Sequence, residues 1–255
     1  MTRLSFRQKV HLAREDAIIG TVKRLLAEKG FDLMTVDEVA AEVGIAKASL
    51  YKHFASKEAL AAAAMVQMMD MAVGQAEVQQ ATPGASAIDK LRGITRWTLQ
   101  TQMAGQMPTL PAENSSLRNA LIAHKGYMDG LMRLSDQLGE WIIQAQADGS
   151  VNRALPPEAV LYTIFARACD PVLGFLKAGG SHSDAQIIEA KAPAKGKGKG
   201  KAQPPAPAPA PAPAKDDAKG KAAKVKHMVK LSFFHARVKD DVFHDVKFVR
   251  QHAKC

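Results

Sequence analysis

From Arg14 to Ala178 apolar residues return at spacings of three and four, and no stretch before residue 225 alternates in the period of a strand. Ala17, Val22, Leu25, Leu26 and Phe31 are the apolar set of a first helix over 14–30. Thr35-Val-Asp-Glu38 reads as a capping box, in which the Thr35 hydroxyl accepts from a free backbone N–H and the Glu38 carboxylate reaches back. Val36, Val39, Ala40 and Val43 follow on one helix face, and Gly44 stands where the chain needs a positive φ to stop and turn. A short helix is predicted over 47–54, with Leu50 and Phe54 four apart and pointing inward. Ser56 caps a longer helix over 57–80, rich in Ala and Met, which Thr82-Pro83-Gly84 breaks. Further helices are predicted over 86–104, from Ser116 to Ala147 with a bend near Gly126, and over 157–178, where Pro157 suits the first turn and Gly179-Gly180 ends it. Another helix begins after Ser183. The fold class is therefore all-α.

The stretch from Thr35 to Leu60 is a helix, a three-residue turn, a short second helix and the start of a third, which is a helix-turn-helix. With Leu50 and Phe54 turned inward, Lys47, Ala48, Ser49, Tyr51, Lys52 and His53 fall on or near the outer face. Small, polar and basic residues at the start of a short helix suit the major groove of DNA. Lys57 lies in the first turn of the following helix, where free N–H groups can meet a phosphate.

The run of Thr35, Val39-Ala40, Gly44-Ile45, Ser49-Leu50-Tyr51, His53-Phe54 and Ser56-Lys57-Glu58 through Leu60 resembles the DNA-binding domain of the TetR/AcrR family of bacterial regulators. The pairing of LYKHF with SKEAL is what makes the resemblance specific. One departure is Ala46, where the family often has a Ser that caps the recognition helix. The resemblance is strong over 14–60, fainter over 61–190, and does not reach 191–255. It implies an N-terminal helix-turn-helix domain followed by an α-helical domain that binds a small molecule and pairs two subunits. Lys47, Ala48 and Ser49 would then meet base edges, while Thr35, Tyr51, His53 and Lys57 would meet phosphates, with Lys52 a further DNA-binding residue.

Charge sharpens the division. The net charge of +10 divides as +3 over 1–57, −4 over 58–190 and +11 over 191–255, where sixteen Lys and Arg stand against five Asp and Glu. The basic character thus belongs mainly to the tail. Five segments follow: a basic arm over 1–13, with Arg3, Arg7 and Lys9; the helix-turn-helix domain over 14–60; an effector-binding and dimerisation domain over 61–190; a disordered Lys/Pro/Ala/Gly linker over 191–224; and a short segment over 225–255. The linker carries almost no apolar surface to offset the entropy of ordering. In the last segment Val229, Leu231 and Phe233 alternate like a strand, whereas Val242, Val246 and Val249 are spaced like a helix, so both remain open.

In the body, Met65, Met68, Met69, Met71, Met103, Met107, Met128 and Met132 offer adaptable thioethers that, with Trp97, Tyr127, Trp141 and Phe165, suit a cavity for a hydrophobic effector. The effector set is taken as Met69, Trp97, Met103, Met128, Met132, Trp141 and Phe165. The helix from Pro157 is apolar nearly all round, which calls for burial on several sides. By the resemblance it is the dimer helix, through Val160, Leu161, Ile164, Val172 and Phe175. The family usually completes that interface with another amphipathic helix, which here gives way to the Lys/Pro/Ala tail.

Chemistry narrows the function further. Cys169 and Cys255 do not suggest a disulfide framework, and Cys169 reads as a small buried apolar residue. The spacings of eight or nine among His227, His235, His244, His252 and Cys255 suit no compact metal site. No phosphate-cradling glycine loop, metal pair or nucleophile motif is present, so an enzyme is not expected, nor a cofactor. No signal peptide or membrane span is visible, which points to a cytoplasmic protein. The expected partners are double-stranded DNA bearing a near-palindromic operator, a small-molecule effector and a second copy of the chain. The leading expectation is a sequence-specific regulator, most simply a repressor. The alternative is a DNA-architectural protein that binds through its basic tail.

Overall fold

The computed structural model describes residues 5–112 and 114–192. These form ten α-helices: α1 Phe6–Leu33, α2 Val36–Val43, α3 Lys47–Leu50, α4 Lys57–Ala81, α5 Ala87–Met103, α6 Ser116–Ala123, α7 Lys125–Ala147, α8 Pro157–Ala166, α9 Val172–Ala178 and α10 Asp184–Lys191. A single 3-10 turn, Arg167–Cys169, lies between α8 and α9. Among the described residues there is no strand, as the apolar spacing predicts. The basic residue Arg3 and nearly all of the tail, 193–255, lie outside the described residues, and so do the readings made on them.

Several boundaries differ from the sequence reading, each for a local reason. The first helix starts at Phe6, because Ser5 and Gln8 form a capping box there, so most of the basic arm is helix. The helix expected over 116–147 is two: the chain leaves helical geometry at His124, whose imidazole caps α7 by accepting from the Tyr127 N–H. The helix expected over 157–178 is also broken. Asp170 is extended, with ψ of 103°, as the residue before a proline tends to be, and Pro171 follows. The helix foreseen after Ser183 is α10, eight residues long, opened by a capping box between Ser183 and Gln186. It carries ordered structure through Lys191, slightly past the expected start of the tail.

Three apolar clusters hold the helices together. The first packs α1, α2, α3 and the start of α4 around Val22, Leu26, Val39, Leu50 and Leu60, and it also takes in Leu117 and Leu131 from α6 and α7. The second joins the later part of α4 to α5, α7 and α8 around Leu91, Leu138, Trp141 and Leu161. The third seats α10 on α5 and α9 through Ile187, Ile188, Leu99 and Leu173. α4 is common to the first two, and its small residues Ala61, Ala62 and Ala64 are buried in the first. At Gly130 an added Cβ would stand 2.6 Å from Met69 Cγ, so glycine lets α7 pass close to α4 there.

Ion pairs finish the seams. Arg24 with Glu42 and Lys29 with Glu38 tie α1 to α2. The Arg96 guanidinium donates twice to Glu189, at 2.6 and 3.0 Å, and so holds α10 against α5. Asp170 is only 6% exposed and meets Arg167 at 2.8 Å and Lys191 at 3.1 Å. Burial works to raise the Asp170 carboxyl, but the hydrogen bonds from Lys191, the Val172 N–H and Arg167 outweigh it and hold the group below its ordinary value.

The recognition element shows one weak joint. α3 is four residues long, not eight, and its N-cap Ala46 has no side chain to accept a backbone N–H. The chain from Tyr51 to Phe54 continues as turns, held by bonds such as Phe54 N–H to the Leu50 carbonyl at 3.1 Å. Restoring a cap should therefore show. Ala46→Ser is expected to raise the free energy of unfolding by ~1 kcal/mol. Urea denaturation of the two proteins measures the difference, and an unchanged or lowered midpoint would mean that the helix start is set by packing alone.

Candidate DNA-binding face and effector pocket

The helix-turn-helix is assembled by local signals. Thr35 caps α2, its hydroxyl accepting from the Glu38 N–H at 3.2 Å. Gly44 adopts φ 72° and ψ 34°, and its N–H closes back on the carbonyls of Ala40 and Ala41. Leu50 is 1% exposed and anchors α3 to the core, with Ile45 and Phe54 packed beside it. The face this leaves in solvent carries Thr35, Lys47, Ala48, Tyr51 and Lys52, all exposed, with Ser49 half-buried at its edge.

Two of the expected phosphate-binding residues sit differently. His53 turns inward: its side chain is 6% exposed, Nδ1 lies 3.3 Å from Glu15 Oε1, and the ring stacks on His11 with centroids 4.5 Å apart. It is not on the outer face. Lys57 is half-buried, its ammonium donating to the Asp32 carbonyl at 3.3 Å and lying 4.4 Å from the centre of the Phe31 ring. That arrangement braces α4 against the end of α1. On the outer face the Lys47 ammonium donates to the Asp37 carboxylate at 2.8 Å, and that hydrogen bond raises the Lys47 pKa. The i,i+3 and i,i+4 periodicity of the sequence carries no signal for this pair, because it bridges two helices.

A second feature lies in the body. A cavity of about 260 Å³ is lined by α4 (Met65, Met68, Met69, Ala72), α5 (Ile94, Trp97, Thr98), α7 (Tyr127, Leu131, Leu134, Leu138), the loop Met107 to Leu110, and α8 (Tyr162, Ile164, Phe165). The walls are almost wholly apolar. Burial, with a smaller contribution from Cys169, pushes the Tyr127 hydroxyl up to about 12, so this wall stays uncharged at neutral pH. Cys169 is half-buried beside the cavity and accepts a hydrogen bond from the Leu110 N–H at 3.4 Å.

Of the residues expected to line such a cavity, Met69, Trp97 and Phe165 do so. Met103, Met128, Met132 and Trp141 do not. Met103 packs against the cluster under α10, and Met128 against the cluster around α1 and α4. Met132 is half-buried elsewhere on α7. Trp141 is 1% exposed in the second cluster, its indole N–H donating to Gln80 at 2.8 Å. The lining residues Met65, Met68, Met107 and Tyr127 belong to the Met and aromatic set visible in sequence, whereas Leu110, Leu131, Leu134 and Tyr162 were not singled out.

The expected dimer residues divide as well. Leu161 is 0% exposed and belongs to the chain's own core. Val160 and Ile164 pack partly against that core. Val172 and Phe175 are exposed, Phe175 at 78%, and Leu155 and Tyr162 also stand in solvent. Among the described residues no single helix is long and apolar enough to cross a membrane; α8 and α9 reach that apolarity only as a pair bent by 43°.

The arrangement defines an all-α protein with an N-terminal helix-turn-helix set on a helical body that encloses an apolar cavity. Comparison with known proteins agrees. Residues 18–64 match the family described as bacterial regulatory proteins, tetR family. The uncharacterized HTH-type transcriptional regulator YerO of Bacillus subtilis (strain 168) is 42% identical over 62 residues, which are 24% of this chain and 22% of that protein. The biofilm operon icaADBC HTH-type negative transcriptional regulator IcaR of Staphylococcus aureus (strain Newman) is 48% identical over 46 residues, 18% of this chain and 25% of that protein. The chain thus matches about a quarter of the length of these curated relatives. The transcriptional regulator FadR of Bacillus subtilis, solved in complex with stearoyl-CoA, shares the fold with a TM-score of 0.51 and 16% identity, over 69% of this chain and 94% of that one.

Proposed function

We propose that the chain is a homodimeric transcriptional repressor that leaves its operator when a small hydrophobic molecule enters the cavity. The observation that carries this reading is that α4 both begins against the helix-turn-helix core and lines the cavity with Met65, Met68, Met69 and Ala72. A ligand that needs a larger cavity must move α4, and α4 carries the helix-turn-helix with it. Binding of DNA and of effector are then reciprocally coupled, typically by 1–3 kcal/mol, or about 5–150-fold in affinity. IcaR, named a negative regulator, supports the repressor sense, and the stearoyl-CoA of FadR supports an acyl group as occupant.

In this reading Lys47, Ala48 and Ser49 meet base edges while Thr35, Tyr51 and Lys52 meet phosphates. Two copies would present their α3 helices to successive major grooves, about 34–36 Å apart. The exposed apolar residues Tyr162, Val172 and Phe175 on α8 and α9 support the pairing face. The chain is divided, on this proposal, into a DNA-binding unit over 14–60, an effector and pairing unit over 61–190 and a basic tail. A second reading, an architectural DNA-binding protein, is favoured by the +11 charge of residues 191–255. That term binds without regard to sequence and weakens steeply with salt.

Selection of bound DNA from a genomic library should return a single near-palindromic motif, shared by the full chain and by a chain lacking 193–255. Tyr51→Ala should weaken binding by about 1.5–3 kcal/mol, the range for a hydrogen bond to a charged group, to this motif and to other sequences alike, while leaving the dimer intact. Binding without a motif, abolished by removal of the tail, would establish the architectural reading instead. Phe175→Glu should convert the dimer to monomer in sedimentation and abolish the palindromic preference; a dimer that persists would move the pairing face elsewhere. Among acyl-CoA thioesters of increasing chain length, at least one is expected to quench Trp97 fluorescence and to weaken operator binding at least about 5-fold. Quenching without any loss of operator affinity would rule out release by the effector.

A further inference from the structure

Three potential metal ligands meet where the start of α1 packs against the turn after α3. His11 and Glu15 stand one turn apart on α1, and His53 comes from the turn that follows α3. One ligand atom from each lies within 4.8 Å of the other two. His11 Nε2 and His53 Nδ1 each lie 3.3 Å from the same oxygen, Glu15 Oε1. The two His–Glu15 separations match edges of a zinc tetrahedron, whose donors about 2.0–2.1 Å from the ion stand roughly 3.3 Å apart; the two imidazole nitrogens lie within 4.8 Å of each other, and the His11 ring, stacked on His53, must turn to aim at the same ion. Two imidazoles and a carboxylate, with the fourth position left to water, are a donor set for zinc or a similar first-row ion.

The surroundings favour an ion over a plain surface cluster. His53 is 6% exposed, so its ring is fixed, and its nitrogen faces Glu15 rather than solvent. Glu15 is 28% exposed and His11 55%, so an ion has a route in and the His11 ring has room to turn its lone pair toward it. Spacing i,i+4 on one helix face, as in His11 and Glu15, is a recurrent way for a helix to supply two ligands. The third ligand comes from a different segment, so the ion would cross-link the first turns of α1 to the end of the recognition element. That link bears on the part of the helix-turn-helix which α3, four residues long and without a side-chain cap, holds least firmly.

We infer that His11, Glu15 and His53 form a site for a zinc-like divalent cation that pins the start of α1 to the turn after the recognition helix.

The test is titration of the full-length chain with Co(II), which reports tetrahedral coordination in its visible spectrum, followed by Zn(II) competition. Histidines outside this site can contribute other equivalents, so the readout is the difference between proteins. Wild type should bind one more tight equivalent than His11→Ala and than Glu15→Gln, and only that equivalent should show the tetrahedral cobalt bands. Zn(II) should raise the Tm of wild type and leave that of His11→Ala unmoved. His11 is exposed, so its loss should not unfold the protein, and circular dichroism checks this. Equal stoichiometry and equal cobalt spectra in wild type and both variants would overturn the proposal and leave the cluster as hydrogen-bonded side chains. A tight equivalent lost in the variants but without tetrahedral bands would overturn the assigned geometry.

Discussion

The constraint on which the molecule depends is the unbroken course of α4. Ser56 caps it at the end of the helix-turn-helix, its hydroxyl accepting from the Ala59 N–H at 3.0 Å, and it runs to Ala81 without interruption. At 1.5 Å per residue its 25 residues span roughly 37 Å. Along that length its neighbours change, from α1 and α6 near Leu60 and Ala61 to α5 and α7 near Val73 and Ala76. Burying more than one face of a helix requires small residues where backbones approach, and Ala61, Ala62 and Ala64 supply them. A helix cannot stretch, so displacement at Met69 or Ala72 reappears at Leu60 as tilt or translation. The Lys57 ammonium, held to the Asp32 carbonyl and the Phe31 ring, ties that motion to α1 as well.

How legible this was in the sequence depended on the range of the interaction. Thr35, Gly44 and Ser56 act on their own backbone neighbours within four residues, and their roles as cap, turn and cap could be read directly. So could Leu50, whose burial follows from helix period alone. His53 could not: period places it near the outer face, but the carboxylate of Glu15, 38 positions earlier, and the ring of His11 draw it inward. Trp141 is the same case in the body. Its size and polarity suit a ligand cavity, yet Gln80 from α4 satisfies its N–H and the second core takes its ring. Composition announced a Met-rich cavity, but which methionines face it depends on how α4, α5 and α7 are rotated about their axes. The bend at Asp170-Pro171 had a local signal in the proline, outweighed in the reading by the apolar run on either side.

That bend has an energetic consequence. A straight helix over 157–178 would bury one long stripe; α8, the 3-10 turn and α9 bury Leu161 and Leu173 on separate clusters and leave Val172 and Phe175 outside. Asp170 makes the bend tolerable by taking both Arg167 and Lys191, so the sharp turn carries a compensated buried charge. The same carboxylate anchors the end of α10, so the helix that covers part of this face and the helix pair that leaves the rest of it bare are fixed by one residue. A solvent-exposed side chain as apolar as Phe175 gains free energy from any partner that covers it, at about 25 cal/mol per Å² of apolar surface removed from water. α10, only eight residues long, leaves that patch bare among the described helices, and the two-fold pairing proposed above would bring each copy's patch onto the other's.

The recognition element sits at the opposite extreme of order. A four-residue helix has no stability of its own, since nucleation costs more than its few hydrogen bonds return. α3 exists because Ile45, Leu50 and Phe54 are held by a core that α1 and α4 build. Without a cap at Ala46, its start is the part of the domain most readily rearranged, and segments that adapt to a partner are drawn from this low-stability end. An element of this kind reads DNA well only if its ends are held while its surface stays free to adjust. Asp37 meets the start through Lys47, in a solvent-exposed pair that, on the proposed function, a base edge would replace. The far end is held through His53, whose buried side chain meets Glu15 rather than solvent. On the proposed function the two ends would have opposite fates on binding, the exposed pair exchanged and the buried contact kept, and the kept one leads back to the first turns of α1.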